Sequence, residues 1–203
     1  MSNLETEILD AALRVFSRYG VKRTTMVDLC QEVDVSRQTL YNRFCNKDEI
    51  LRGLIGRYTD TAIAEIDRGL QDAPGLGNKL DLVFDRMVVD GYDLVQTMPN
   101  AQDFVDGVNA VSKEALEVSA ARFRTVIAVI LAPHNTALER AGLDVADLSD
   151  FVQRAAKAAA DQARDRAHLR QQLRILRQLC LRAASGDATD HAHSKENEDV
   201  HGS

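Results

Sequence analysis

Residues 25–44, with the sequence TMVDLCQEVDVSRQTLYNRF, are the stretch that decides the fold. Thr25 and Ser36 each precede an apolar-periodic run, and a hydroxyl in that position can cap a helix N-terminus. The pattern predicts one helix over 25–33, a three-residue turn, and a second helix over 36–44. Two short helices joined by such a turn are typical of a helix-turn-helix.

The second predicted helix has two chemically different faces. Leu40 and Phe44 are four residues apart, so they share one face and are expected to be buried. The other face presents Arg37, Gln38, Tyr41 and Asn42. Arginine can pair with guanine, glutamine and asparagine can pair with adenine, and hydroxyl groups can reach phosphates. This face therefore suits DNA, although a polar face of this kind can also be an ordinary solvated surface.

The charge of the whole chain gives no sign of a nucleic-acid binder. The 203 residues include 25 Lys and Arg against 31 Asp and Glu, a net charge of -6, which excludes a histone-like or polybasic protein. Residues 11–27 and 35–47, however, contain four and three basic residues and no acid. Residues 186–203 contain five acids and one base, so most of the acidity lies there. Positive charge therefore clusters around the predicted helix-turn-helix, as phosphate contact requires.

The rest of the composition indicates an all-α chain. Three prolines and eleven glycines interrupt 203 residues, and neither alternating polarity nor closely spaced turn signals occur. Helices are predicted over 4–19, from Asn46 to about Leu70, and over 78–97, 101–108, 112–131, 135–141 and 147–184, the last dividing near 165–168. The clearest loop is 72–77. The polar composition of 186–203 predicts a disordered acidic tail.

The sequence lacks the motifs of common catalytic and metal sites. No HExxH, P-loop, GxSxG or dinucleotide fingerprint occurs, so no enzyme activity, catalytic residue, metal or cofactor is expected. His191 and His193 could hold a metal weakly, but a disordered tail is the favoured interpretation. Cys45 is either an exposed redox switch or, as we favour, an unreactive thiol, and Cys30 and Cys180 are expected in the core.

The sequence also bears on location. No apolar run approaches the roughly 18 residues of a membrane-spanning helix. The N-terminus lacks the basic and apolar regions of a signal peptide. A cytoplasmic protein without membrane contact is therefore expected.

The N-terminal quarter of the chain carries a longer pattern. It consists of ILDAALRVF at 8–16, then Tyr19-Gly20, Thr24-Thr25, Val35-Ser36, Thr39-Leu40-Tyr41, Phe44 and KDEIL at 47–51. In order and spacing this pattern resembles the N-terminal domain of TetR/AcrR-family transcriptional regulators. The chain departs from the family pattern at Leu29-Cys30, at Asp34 in place of the turn glycine, and at Gln38 in place of a small residue.

The resemblance implies a three-helix DNA-binding domain followed by a larger helical domain that binds a small molecule and dimerises. It places Thr25 and Lys47 against phosphates and the following residues at the DNA interface: Arg37, Gln38, Thr39, Tyr41 and Asn42. The expected domains are a DNA-binding domain over 1–60, a ligand-binding and dimerisation domain over 61–185, and the tail over 186–203.

Two further sites are predicted in the second domain. The walls of a ligand pocket are expected where three helices converge, at Phe84, Met87, Tyr92, Phe104, Val108 and Phe123. The dimer interface is expected on the stretch 151–184, which has an apolar stripe among eight basic residues, at Phe151, Leu169, Leu173, Leu176 and Cys180. A basic helix pair packed only within its own subunit is the alternative.

The sequence thus predicts a homodimeric, ligand-responsive transcriptional regulator. A repressor released from a palindromic operator on double-stranded DNA by a small-molecule effector is the favoured form. A regulator that activates or works without a ligand is one alternative. A helical protein-interaction module is another.

Overall fold

The computed structural model describes residues 3–111 and 113–186, and these residues confirm the all-α prediction. The predicted tail beyond Gly186, with His191 and His193, lies outside the described residues. The helices in chain order are α1 (Asn3–Tyr19), α2 (Met26–Val33), α3 (Arg37–Tyr41), α4 (Lys47–Leu70), α5 (Gly75–Phe84), α6 (Asp90–Gln96), α7 (Ala101–Val111), α8 (Lys113–Leu131), α9 (Asn135–Arg140), α10 (Val145–Asp161) and α11 (Arg166–Ser185).

The predicted helix-turn-helix forms from local signals. The Thr25 side chain accepts a hydrogen bond from the Asp28 amide at the start of α2, and the Ser36 side chain accepts one from the Thr39 amide at the start of α3. Between them Asp34 adopts φ 58° and ψ 48°. Aspartate tolerates this left-handed conformation better than most residues, so it can replace a turn glycine.

The second helix of the helix-turn-helix is shorter than predicted. α3 ends at Tyr41 rather than Phe44, because the Arg43 amide bonds to the Leu40 carbonyl three residues back (3.0 Å). This i to i-3 bond tightens the last turn and ends the regular helix. The Phe44 amide also bonds to Leu40 (2.9 Å). The side chain of Phe44 is half-buried against the N-terminal core, as expected for this face.

The predicted loop 72–77 is only partly a loop. α5 begins at Gly75, and Pro74 is its N-cap, because the extended backbone of Pro74 and the positive φ of Gly75 (70°) complete the turn in two residues. The helix predicted over 78–97 contains a π-helical turn at Asp85–Val89 that separates α5 from α6. The predicted division of 147–184 is confirmed at residues 162–165, where Asp165 caps α11.

The apolar residues form two cores that meet along α4. One core joins α1, α2, α3 and the first turns of α4, and Met98 and Phe104 from the α6–α7 region also belong to it. The other core joins the second half of α4 to α5, α8, α9, α10 and α11. Leu54 is the last α4 residue in the first core, and Ala62 is the first in the second.

The predicted dimer residues require a correction. Leu169, Leu173, Leu176 and Cys180 are at most 7% exposed and pack into the second core of their own subunit. Burial raises the pKa of the Cys180 thiol to about 11. Of the predicted set only Phe151 is exposed (57%). Leu179 (57%), which belongs to the apolar stripe seen in the sequence, and Ile175 (50%) are exposed as well. α11 has apolar residues on two faces. The larger set, which includes Leu169, Leu173, Leu176 and Cys180, completes the second core of its own subunit.

Within the described ranges, none of the helices combines the length and apolar character needed to cross a bilayer.

Candidate nucleic-acid interface and ligand cavity

α3 is held by one buried anchor and presents the rest of its surface outward. Leu40 is fully buried in the first core. Arg37, Gln38, Tyr41 and Asn42 are exposed on the outward face, where the sequence placed them. Among the described residues, no hydrogen bond or ion pair engages the side chains of Arg37, Gln38 or Tyr41. The structure therefore brings together a set of side chains that are available for base and phosphate contact.

Thr39 differs from its neighbours on α3. It is half-buried, and its hydroxyl lies 2.8 Å from the Ser36 hydroxyl at the helix start. The Thr39 amide also donates to the Ser36 oxygen (3.0 Å). The hydroxyl of Thr39 thus supports the helix start.

Thr25 lies at the N-terminus of α2 and is engaged in a reciprocal cap. Its hydroxyl donates to the Asp28 carboxylate (2.8 Å) and accepts from the Asp28 amide (3.2 Å), while the Thr25 amide donates to the same carboxylate (2.7 Å). These bonds, the backbone bond first, lower the pKa of Asp28, and the charge of Lys47 acts in the same direction. Contact of Thr25 with phosphate stays a prediction.

Lys47 has a structural partner that the sequence did not indicate. Its Nζ donates to the carbonyls of Val21 and Thr24, each at 2.7 Å, and so ties the start of α4 to the α1–α2 turn. An ammonium group has three donors. One N–H therefore remains for a phosphate, next to the amides at the start of α4.

The basic cluster predicted from the sequence is partly neutralised in the fold. Arg14 pairs with Glu32 (3.1 Å) and Arg43 lies 3.8 Å from Glu5. These acids are distant in sequence, so local charge counts could not reveal the pairs.

A cavity of about 760 Å³ lies between the two cores. This volume is within the range of about 300–1,000 Å³ that is usual for small-molecule sites. Its walls come from α1, α4, α6, α7, α8, α10 and the π-helical turn. The apolar lining residues are Leu13, Leu54, Ile55, Met87, Val88, Leu94, Val95, Phe104, Val108, Leu116, Ala120, Phe123 and Ala158.

The cavity includes four of the six predicted pocket residues: Met87, Phe104, Val108 and Phe123. Phe84 does not line it, because this side chain is 1% exposed within the second core. Tyr92 lines an adjoining cavity of about 550 Å³ instead. The π-helical turn after Phe84 shifts the helix face that the sequence periodicity assumed, since each π turn adds a residue.

Tyr58 holds the cavity wall at this π-helical turn, and no pattern in the sequence indicated this role. Its hydroxyl donates to the Arg86 carbonyl (2.7 Å) and accepts from the Gly91 amide (3.1 Å). Burial raises the pKa of Tyr58 to about 12. The phenol thereby connects α4 to backbone groups on both sides of the π-helical turn.

At α7 a direct connection joins the cavity wall to the helix-turn-helix unit, which consists of α1, α2, α3 and the first turns of α4. Asp103 accepts a hydrogen bond from the Lys22 amide (3.0 Å), and its carboxylate lies 3.6 Å from the Lys22 Nζ. The backbone amides of Lys22 and Val21 lower the pKa of Asp103. The next residue, Phe104, belongs to the first core and also lines the cavity. One turn of α7 therefore contacts both the cavity and the turn that precedes α2.

Comparison with known proteins agrees with this geometry. Residues 8–54 match the family model described as bacterial regulatory proteins, tetR family. The chain is 35% identical over 89 residues to the HTH-type transcriptional regulator TtgR of Pseudomonas putida, covering 41% of this chain and 42% of TtgR. It is 33% identical over 57 residues to the HTH-type transcriptional repressor ComR of Escherichia coli, covering 28% of this chain and 27% of ComR. The chain thus spans less than half of the length of these curated relatives.

The fold similarity extends further along the chain. A TetR-family transcriptional regulator from Streptomyces coelicolor has a TM-score of 0.60 at 20% identity, covering 91% of this chain and 98% of that chain. The relatives and the family are transcriptional regulators, not enzymes. Residues 8–54 thus match the N-terminal domain of the TetR family, and the fold over most of the chain is similar to that of a TetR-family structure.

Proposed function

We propose that this regulator is a homodimeric repressor that binds a palindromic operator and is released from it by a small molecule in the cavity. The observation that carries this proposal is the shared wall of the cavity. Leu13 and Leu54 come from the DNA-binding unit, whereas Phe123 comes from the second core. A ligand in this cavity contacts both units, so its binding can favour one arrangement of the two over another.

DNA recognition is assigned to the exposed face of α3 in the major groove. Arg37 would pair with guanine, and Gln38 and Asn42 with adenine edges, because these side chains have matching donors and acceptors. Tyr41 and the remaining N–H of Lys47 would contact phosphates. Gln38 has the reach to read a base, so it is expected to contribute to the operator sequence that this chain prefers.

Dimerisation is assigned to the exposed apolar face of α10 and α11. Phe151, Ile175 and Leu179 are each at least half exposed, which leaves large apolar side chains uncovered in a single subunit. A symmetric contact between two copies would cover them. Two recognition helices on a palindrome would then lie about 34–36 Å apart, in successive major grooves.

Repression rather than activation is favoured by the relatives, since ComR is a named repressor. A regulator that activates or works without a ligand is the second form of the same proposal. We also propose a cytoplasmic location, because the protein must reach its operator.

The test is a mobility-shift titration with the DNA upstream of the protein's own gene. Arg37→Ala should weaken the binding free energy for operator DNA by about 1–3 kcal/mol and relax the preference for guanine at the position that Arg37 reads. Lys47→Ala should weaken binding to all sequences and reduce the salt slope by about one. Arg68→Ala, at the opposite end of α4, is the matched control and should change neither property.

Because Lys47 also ties α4 to the α1–α2 turn, thermal unfolding of Lys47→Ala must accompany the titration. A repressor should bind its own upstream DNA at low salt without any added ligand. If no fragment is retained, or if Arg37→Ala and Lys47→Ala bind as Arg68→Ala does, α3 is not the DNA-reading element. In that case a protein-interaction module becomes the better explanation.

A further inference from the structure

The polar groups that line the cavity indicate which class of ligand it accepts. Several of them are already engaged within the protein. The Tyr58 hydroxyl donates to the Arg86 carbonyl (2.7 Å), and the Ser119 hydroxyl lies 2.6 Å from the Thr59 hydroxyl. These groups shape the wall and have little capacity left for a ligand.

The acidic groups of the lining are paired as well. Glu117 pairs with Arg124 (2.6 Å), and Asp161 pairs with Lys157 on the same helix. No unpaired carboxylate therefore lines the cavity in the part of the chain that the structure describes. An organic cation would find no buried counter-ion there, and burial of an unpaired charge is strongly unfavourable.

Basic groups offer an anion no better site inside the cavity. Arg57 is held by Asp10 (2.7 Å), and Arg154 is held by Asp150 (2.7 Å). Lys113 lines the cavity without a partner among residues 3–111 and 113–186, but it is exposed. Solvent and salt screen such a charge, so Lys113 provides little selectivity for an anionic ligand.

Among the described polar residues that line the cavity, Gln153 alone is both buried and without a hydrogen-bond partner. It is 7% exposed, lies on α10 and lines the cavity, and its side-chain amide makes no hydrogen bond to the described residues. Buried polar side chains nearly always have a hydrogen-bond partner. The amide is uncharged and supplies both donors and an acceptor. It is thus suited to a neutral polar group that reaches it from within the cavity.

We propose that the cavity binds an elongated, predominantly apolar molecule with one uncharged polar group, such as an amide, ester, ketone or alcohol, which hydrogen-bonds to Gln153. This inference rests on the proposed function only in taking the cavity as the ligand site. The apolar walls bind the body of the ligand, and Gln153 selects its polar group.

The experiment uses the full chain and a hydrocarbon fluorescent probe, 1,6-diphenylhexatriene, which has no polar group. Four ten-carbon competitors with different head groups then displace it: decanamide, decan-1-ol, decanoate and decyltrimethylammonium. Decanamide and decan-1-ol should displace the probe at concentrations about tenfold lower than the two charged competitors, because only the charged heads lose hydration without gaining a buried partner.

The matched variants are Gln153→Leu and Gln162→Leu, on α10 and just after its end. Gln162 is exposed and lies outside the cavity lining. Gln153→Leu should lower the affinity for decanamide about five- to tenfold, because one neutral hydrogen bond is lost. The affinity for the probe should stay within about twofold of the wild-type value. Gln162→Leu should change neither affinity.

Three outcomes would overturn the inference. One is preferential displacement by decyltrimethylammonium or decanoate, which the unmodified chain alone can reveal. Another is that Gln153→Leu changes the affinity for all four competitors equally. The third is that the chain binds its operator DNA but does not bind the probe. Head-group selectivity in a chain that binds no DNA would instead refute the proposed function and leave the ligand class intact.

Discussion

The link between α7 and the α1–α2 turn can be tested by replacing Asp103 with alanine. The carboxylate of Asp103 accepts the Lys22 amide at 3.0 Å and also interacts with the Val21 amide. Its side chain is 24% exposed, so water replaces only part of what the substitution removes. Asp103 thus provides a polar contact between the cavity-lining helix α7 and the turn before α2.

The expected magnitude follows from these contacts. A hydrogen bond to a charged group contributes about 1.5–3 kcal/mol when it is well shielded, and partial exposure reduces this, so Asp103→Ala should lower the free energy of unfolding by about 1–2 kcal/mol. For a chain of this size that corresponds to a fall in Tm of about 2–8 °C. Protein concentration must be held constant, because the proposed dimerisation would make Tm depend on it.

The pH dependence gives a second signature. The folded-state pKa of Asp103 is lowered, mainly by the Lys22 amide. Its stabilising contribution is therefore present above the unfolded pKa of about 4 and is lost as pH falls through the lower folded pKa. The difference in Tm between the wild-type protein and Asp103→Ala should thus be full at pH 7 and shrink below about pH 4.

Asp106→Ala is the matched control, since Asp106 lies on the same helix, is exposed and bonds only to Gln102 (2.8 Å). An exposed i,i+4 pair of this kind contributes about 0.2–0.5 kcal/mol. Equal Tm values for Asp103→Ala and Asp106→Ala at pH 7 would refute the reasoning. So would a Tm difference between Asp103→Ala and the wild type that persists unchanged at low pH.

Two further substitution pairs test the dimer face and the cavity wall. Leu179→Glu should leave the subunit folded, convert the dimer to a monomer in sedimentation, and abolish binding to a palindromic operator, because Leu179 is 57% exposed. Leu173→Ala should instead lower the free energy of unfolding by about 2–5 kcal/mol, because it truncates a core residue. If Leu173→Ala gave a folded monomer and Leu179→Glu left the dimer unchanged, the assignment of Leu173 to the core and of Leu179 to the dimer face would be reversed. Tyr58→Phe should lower the free energy of unfolding by about 1–3 kcal/mol, because it removes the part-buried hydrogen bonds to the Arg86 carbonyl and the Gly91 amide. Tyr92→Phe, whose hydroxyl makes no hydrogen bond to the described residues, should have little effect, and equal denaturation midpoints for the two variants would contradict this explanation.

The DNA-binding unit could be predicted closely because its signals are local. The capping role of Thr25 and the left-handed turn at Asp34 both depend on residues within four positions of each other. The second role of Lys47 could not be predicted, because its partners Val21 and Thr24 are more than twenty residues away. The same limit applies to Asp103, which meets Lys22 across 81 positions.

The lining of the cavity was predicted only in part, for a related reason. Met87, Phe104, Val108 and Phe123 line it as expected from converging helices, but Phe84 does not. The π-helical turn at Asp85–Val89 changes which side chains face the cavity, and neither composition nor spacing predicted it.

The sequence by itself determined the all-α class, the helix-turn-helix and the outward face of α3, because helix caps, turn residues and periodicity act over a few neighbouring positions. Only the tertiary structure decided which apolar stripe of α11 packs into the core of its own subunit. Leu169, Leu173 and Leu176 lie on one face, and Ile175 and Leu179 lie on another. Both stripes have helical spacing, so periodicity alone cannot rank them. Burial depends on which helices pack against each stripe, and those helices are distant in the chain.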